Sequence, residues 1–326
     1  FFAAGTGLGE DVTMSRIRTE VRIGRMVLRT PVTVASGTFG YASEFSGFFD
    51  LRLLGAVTTK TVTLKPRRGN VPPRTCETPA GMLNSVGLEN PGIDVFLKEK
   101  MPFLAGYKVP VIVSIASESD NREFIELARR LDHCREAAAI ELNISCPNIR
   151  HTTARPGTSL IAQDAGATYR LVKAVRAVTK KTIITKLSPN VTDIVSIAAA
   201  AEEAGSDAVA LINTITGMSI DASSRKPRIG AVIGGLSGPA IRPVAVRMVW
   251  EVSRRVSIPV IGMGGICDTD SALEFLLAGA SAVAVGTGNF LSPSLADEIV
   301  KGIREYMREN RFGSVSMLRK GMKYAR

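Results

Sequence analysis

Short apolar runs rich in β-branched residues alternate along most of the chain with segments whose apolar residues recur every three to four positions. The runs are Val32–Ala35, Ala56–Lys60, Val111–Ile115, Ala139–Asn143, Thr182–Lys186, Ala208–Asn213, Pro259–Gly262 and Ala282–Gly286. Between and after them lie amphipathic stretches: Arg122–Leu131, Tyr169–Val178, Ile194–Ala204, Pro243–Arg255, Ser271–Leu277 and Leu295–Asn310. A strand that reads as a continuous apolar run is buried on both faces, as in a parallel sheet covered by helices. Eight such runs in 326 residues predict an α/β chain closed into a (β/α)8 TIM barrel rather than an open sheet. Ahead of the first run, residues 19–30 read as a short hairpin turning at Gly24.

Three connections are too long for simple turns. Residues 61–109, 146–165 and 214–239 follow the second, fourth and sixth runs, and are expected to be long loops at the C-terminal face, where barrels place their chemistry. No linker or second domain is visible. Residues 1–13 read as a loose N-terminal extension and residues 14–326 as one domain.

Charge and cysteine content narrow the class. The net charge is +11, but residues 15–30 carry +4 of it and residues 301–326 carry +6, so the rest of the chain is close to neutral. A nucleic-acid reader would gather its basic residues around the site. Here they sit at the two ends, which suits solubility and a partner surface rather than nucleic acid. Cys76, Cys134, Cys146 and Cys267 are widely spaced, with no CxxC pair, so neither a metal site nor an iron–sulphur cluster is expected. Such sparse cysteines suit the cytoplasm. No apolar run approaches the ~18 residues of a membrane span.

Candidate chemistry clusters at the ends of the predicted strands. Gly262-Met263-Gly264-Gly265 follows the seventh and Gly286-Thr287-Gly288 the eighth. Glycines there let backbone amides approach a phosphate, although tight βα turns also favour glycine. A further glycine stretch, Gly234 to Pro239, could close around the same anion. Lys60 ends the second run and Lys186 the fifth. Each either snorkels at the barrel rim or meets something anionic. The most specific segment is Glu141-Leu142-Asn143-Ile144-Ser145-Cys146-Pro147-Asn148. A loop cysteine alone is weak evidence. Amides on both sides of it, with Asn213-Thr214 and Asn84 to Asn90 elsewhere, can read a ring that carries carbonyls and N–H groups.

Taken together, these residues resemble the class 1 dihydroorotate dehydrogenases, and most closely the class 1B catalytic subunit. The resemblance runs from about Glu20 to Asn310 and is carried by Ala35 to Gly40, Thr59-Lys60-Thr61, Asn84 to Asn90, Asn143 to Asn148, Lys186 to Pro189, Asn213-Thr214, Gly234 to Ile241 and the two glycine loops. It implies FMN held by Ser36, Lys60, Thr61, Asn143, Lys186, Ile212, Gly238, Gly264, Gly265, Gly286 and Thr287. It also implies substrate bound by Lys60, Asn84, Ser85, Val86, Gly87, Leu88, Asn143, Asn213 and Thr214, with Cys146 as catalytic base. Ser114 stands where family members often carry an FMN-contacting Asn, a shorter reach at that cofactor position. His133 and His151 match no catalytic role.

The implied reaction is oxidation of dihydroorotate to orotate in pyrimidine biosynthesis. Cys146 takes the C5 proton and FMN the C6 hydride. In class 1B relatives electrons pass to NAD through a partner subunit with FAD and a [2Fe–2S] cluster. The resemblance further implies a homodimer, extended to a heterotetramer with that partner. The alternatives are a fumarate-linked class 1A enzyme and a tRNA dihydrouridine synthase, which also pairs FMN with a loop cysteine on a barrel.

Overall fold

The computed structural model describes residues 17–117, 121–145 and 161–324. The chain enters through a hairpin of β1 (Val21–Ile23) and β2 (Met26–Leu28), paired antiparallel about Gly24, whose φ is +55°. A Cβ at Gly24 would press on Thr182 and Asp207, so the turn lies against the amino ends of two barrel strands. Ile23, Met26 and Leu28 are buried among the residues that fill the barrel and close its base.

The remaining strands, in chain order, are β3 (Val32–Val34), β4 (Ala56–Thr58), β5 (Thr75–Thr78), β6 (Gly81–Asn84), β7 (Val111–Ile115), β8 (Ala137–Asn143), β9 (Thr182–Lys186), β10 (Ala208–Leu211), β11 (Ile215–Met218), β12 (Ile220–Asp221), β13 (Lys226–Pro227), β14 (Ile233–Ser237), β15 (Val260–Gly262) and β16 (Ala282–Val285). Eight of them close into a barrel in the order β3-β4-β7-β8-β9-β10-β15-β16, every neighbour parallel. The expected eight-stranded barrel is therefore present. Successive side chains alternate between the interior and the helical layer. Inward positions are mostly small, including Ala56, Ala139, Ala208, Ala210, Ala282 and Ala284, while Val34, Val57, Val113, Ile140, Ile183, Val209 and Val285 pack outward. Both sets are apolar, which is why each strand reads as an unbroken run.

Helices Asn121–Asp132, Ala165–Arg176, Ile194–Glu203, Arg242–Ser253, Thr269–Leu277 and Leu295–Glu309 form the outer layer. Several begin on an aspartate cap: Asp193 accepts from Val195 and Ser196, and Asp268 forms a reciprocal capping box with Ser271. The last helix buries Leu295, Ala296, Ile299, Val300, Ile303 and Met307, the stripe its sequence spacing predicts.

Two of the long connections differ from expectation. Residues 61–109 and 214–239 are not plain loops. Each contributes two strands to a four-stranded antiparallel sheet in the order β11-β14-β6-β5. The first also contains a helical stretch, Gly92–Ala105, widened by a π turn at Phe96–Lys100. The strands of this sheet are short and half exposed, so they lack the buried apolar run that marks a barrel strand. The third long connection, 146–165, lies largely outside the described residues.

Candidate active site

The carboxyl ends of the barrel strands and the small sheet enclose a cavity of about 430 Å³. The barrel supplies Ala35, Ser36, Lys60, Thr61, Asn143, Lys186, Ile212, Met263 and Gly286 to its lining. The first long connection supplies Thr75, Met82, Asn84, Val86, Gly87 and Leu88. The second supplies Thr214, Ser237 and Gly238. The cavity thus lies between barrel and sheet, and neither alone would form it.

A chain of hydroxyl and amide groups crosses the barrel mouth. Thr61 Oγ1 lies 3.0 Å from Ser36 Oγ and 3.0 Å from Ser114 Oγ. Asn143 Nδ2 donates to Thr61 Oγ1 at 3.0 Å. Asn213 Nδ2 donates to Ser145 Oγ at 2.9 Å and to Asn143 Oδ1 at 3.4 Å, and Asn213 Oδ1 accepts from the Thr214 amide at 2.8 Å. These bonds set which face of each amide is oxygen and which nitrogen, so the mouth presents a fixed pattern of donors and acceptors.

Two cations face this space. Lys60 Nζ lies near Glu89, Glu44 and Arg74, and burial pushes its pKa below the ordinary lysine range, with the two carboxylates opposing that shift. Lys186, on β9, is 4% exposed, and its nearest charge is Glu141 Oε1 on the neighbouring β8, 4.0 Å away.

The glycine loops meet at the other end of the cavity. Gly264 and Gly265 have φ of +127° and +83°, and a Cβ on Gly265 would collide with Gly238 O and Arg242. Gly286 has only Ala35 Cβ near its missing side chain, at 3.7 Å. Thr287 Oγ1 donates to Ser237 Oγ at 2.7 Å, tying the loop after β16 to the small sheet. Among the described residues, no backbone carbonyl accepts from the amides of Gly264, Gly265, Gly286 or Thr287. Lining amides that the fold leaves unpaired suit an anion.

The loop 84–88 is held from behind. Asn90 Oδ1 accepts from the amides of Thr63 and Gly92, and its Nδ2 donates to Thr63 Oγ1 and Leu88 O. A Cβ on Gly87 would strike Asn70, and Leu88 adopts a left-handed φ of +56° that a branched side chain rarely takes.

Of the residues singled out in the sequence, Ser36, Lys60, Thr61, Asn143, Lys186, Ile212, Gly238, Gly264, Gly265, Gly286 and Thr287 line the cavity, as do Asn84, Val86, Gly87, Leu88, Asn213 and Thr214. Two do not. Ser114 is fully buried behind Thr61, because its short side chain reaches a neighbouring hydroxyl rather than the open space. Ser85 is 2% exposed and accepts from Asn70 Nδ2, since alternate residues entering from β6 face opposite ways. Cys146 lies outside the described residues. Sequence reasoning missed Thr75, Met82 and Phe290 as lining residues, and Ser145 as a fully buried partner of Asn213. Ser145 had a signal, its place inside the Asn143–Asn148 segment. Thr75 and Met82 had none without the pairing of the small sheet.

Comparison with known proteins agrees with this geometry. The family model described as dihydroorotate dehydrogenase matches residues 18–307. Among curated proteins, the chain is similar to the "Dihydroorotate dehydrogenase B (NAD(+)), catalytic subunit" of Trichlorobacter lovleyi, at 52% identity over 91% of this chain and 96% of the relative. The proteins of the same name from Pelobacter propionicus and Geobacter sulfurreducens are each 51% identical, covering 91% and 93% of this chain and 96% and 97% of their own lengths. A match of this extent, over a barrel with its polar cavity at the expected face, means that the chain belongs to the dihydroorotate dehydrogenase family.

Proposed function

We propose that this protein is the catalytic subunit of an NAD-linked dihydroorotate dehydrogenase, oxidising dihydroorotate to orotate. The observation that carries the reading is the cavity itself: two lysines and three fixed asparagine amides at one end, unpaired glycine-loop amides at the other, and apolar Ile212 and Met263 between them. A flat ring bearing a phosphate tail fits that division. The apolar strip suits the ring face, and the amides of Gly264, Gly265, Gly286 and Thr287 suit the phosphate. FMN is such a group. Lys60, Thr61, Asn143 and Lys186 would hold its ring edge, and Gly238 with the two glycine loops would hold its tail. When bound, FMN supplies the two-electron acceptor for the hydride leaving C6.

The chain's own residues do the rest. Asn84, Asn143 and Asn213 present donors and acceptors that match the carbonyl and N–H groups of a dihydropyrimidine ring. Lys60 pairs with its carboxylate. Fixed amides align the ring so that proton and hydride leave from defined positions, an entropic gain available only in a preset site. Cys146, three residues beyond Asn143, removes the C5 proton as thiolate. The relatives' names couple the reaction to NAD and call their chain a catalytic subunit. For this chain we read that as an electron-transfer partner bearing FAD and a [2Fe–2S] cluster, joined to a homodimer of the catalytic chain.

The test is anaerobic addition of dihydroorotate to the purified, flavin-loaded protein. Rapid loss of the visible flavin band is expected. A yellow protein that dihydroorotate fails to bleach would overturn the substrate, and a protein that takes up no flavin would overturn the cofactor.

A further inference from the structure

Behind the loop 84–88 stands a set of donors that the reaction as described does not use. They hold four successive carbonyls of the loop. Asn70 Nδ2 donates to Ser85 O at 3.2 Å and to Ser85 Oγ at 2.8 Å, and the Asn70 amide donates to Val86 O at 3.0 Å. Arg67 Nε donates to Gly87 O at 3.3 Å, and Asn90 Nδ2 donates to Leu88 O at 2.7 Å. Val86, Gly87 and Leu88 line the cavity, whereas Arg67, Asn70 and Asn90 do not, so the donors lie on the far side of the loop. A trans peptide directs its N–H opposite to its C=O, and none of these peptides is cis. The amides of residues 86 to 89 are therefore turned away from the donors, to the cavity side. Among the described residues, no backbone carbonyl accepts from them. Gly87 and Leu88 have φ of +75° and +56°, and successive amides turned one way through such residues form a concavity that suits an anion. A left-handed leucine is strained and persists only where its surroundings hold it. Asn90 supplies that hold. It is 6% exposed, and while its Nδ2 grips Leu88 O, its Oδ1 is anchored by the amides of Thr63 and Gly92.

We propose that Asn70 and Asn90 are positioning residues that turn the peptide planes of residues 85–88, so that the loop presents amides rather than carbonyls to the carboxylate of the substrate. The inference rests on the proposed substrate. Neither asparagine touches the ligand, and each acts only through the loop backbone. Asn70 sets the first peptides and Asn90 the last. Thr63, which Asn90 grips, lies two residues beyond Thr61, so Asn90 also fixes the loop against the segment that bears Lys60 and Thr61. A carbonyl released from either anchor can rotate into the cavity, and an oxygen presented there repels an anion where the amide attracted it. The ring is read from the barrel side by Asn143 and Asn213, whose partners are Thr61, Ser145 and each other. Loss of an anchor therefore weakens recognition of the charge and spares recognition of the ring.

The experiment is titration of the FMN-loaded protein with orotate and with orotamide, the same ring bearing an uncharged carboxamide, followed by the change in flavin absorbance. Wild type, Asn90→Ala, Asn70→Ala and Gly55→Ala are compared, the last carrying its strain at the base of the barrel. Asn90→Ala is expected to lose about tenfold or more in affinity for orotate and no more than about twofold for orotamide, with FMN uptake unchanged. Asn70→Ala should show the same selective loss to a lesser degree, because its backbone amide still holds Val86 O. Gly55→Ala should keep the wild-type ratio of the two affinities. An Asn90→Ala protein with unchanged orotate affinity overturns the proposal. Equal losses for both ligands overturn it too, since they would mark general loosening of the loop. If Asn90→Ala does not fold, Asn70→Ala decides by the same ratio. A wild-type protein that binds neither ligand would overturn the substrate reading instead, so the two failures are distinct.

Discussion

The barrel and the small sheet above it are both β-structure, yet they are stabilised differently and divide the site between them. Each barrel strand is covered by apolar neighbours on both faces, and its partners follow in near-sequential order around the ring. The small sheet joins segments about 150 residues apart, pairing Asn84 with Gly235, and leaves alternate positions exposed. The barrel contributes the two lysines, Asn143 and the glycine loops, all rooted in strands that cannot move without disturbing the core. The sheet contributes Thr75, Met82, Asn84 and Ser237, which rest on a seam of backbone pairing and a few side chains. Rigid barrel groups thus face a less buried wall across the cavity. Local opening is expected where buried apolar contact is sparse, so that wall is the part able to admit a ligand.

This contrast can be tested from the largest effect downwards. If Cys146 is the base proposed above, Cys146→Ser should slow flavin reduction by dihydroorotate by about 10² to 10⁴-fold, the usual weight of a general base. Stopped-flow reduction at the wild-type rate would remove Cys146 from the mechanism. Asn143→Ala should come next. It deprives Thr61 and Asn213 of a buried partner and is expected to cost roughly 1–3 kcal/mol of stability as well as activity. Chemical denaturation that left both stability and kcat/KM untouched would show that the hydroxyl–amide chain plays no part.

Two glycine substitutions compare the regions directly. A Cβ at Gly55 would overlap Thr30 O at the base of the barrel, and one at Gly81 would overlap Ser237 O across the small sheet. Gly55→Ala is expected to lower the melting temperature by a few degrees, matching overpacking of about 1–3 kcal/mol. Gly81→Ala should leave melting nearly unchanged and raise the KM for dihydroorotate roughly tenfold, a cost of about 1.4 kcal/mol confined to the site. Equal loss of stability in both would mean that barrel and sheet unfold as one unit.

The smallest effect concerns pH. Because burial lowers the Lys60 pKa, this side chain is charged below that value and neutral above it. Orotate affinity should therefore be full on the acid side and weaken as pH rises through the lowered value, before an ordinary lysine near ~10.4 would lose its proton. Lys60→Met should bind more weakly throughout and lose that alkaline slope. A Lys60→Met protein with the affinity and the alkaline slope of the wild type would exclude Lys60 as the carboxylate's partner.

The legibility of the protein follows the same division. Strands Val111–Ile115 and Thr182–Lys186 have the limits the sequence predicts, and the other barrel strands differ by a few residues at their ends. The second run ends early, at Thr58, because the chain turns to bond Lys60 N to Gly40 O, a contact outside the barrel ladder. By contrast, nothing in residues 75–84 or 215–237 announces a sheet, since their short alternating patterns acquire meaning only when they meet. Ser114 shows the limit for individual residues. Its strand and inward direction were legible, but the bond to Thr61 that keeps it behind the cavity wall was not.

The barrel, the strand ends that bear Lys60, Asn143 and Lys186, and the glycine loops are written in the residues themselves, because burial on both faces and backbone freedom are properties of local residue type. Folding alone makes two distant connections form one wall, joins Asn213, Ser145, Asn143 and Thr61 in one chain of hydrogen bonds, and sets Glu141 4.0 Å from Lys186. Those are relations across space. They depend on register and on side-chain reach between strands, which no single segment encodes.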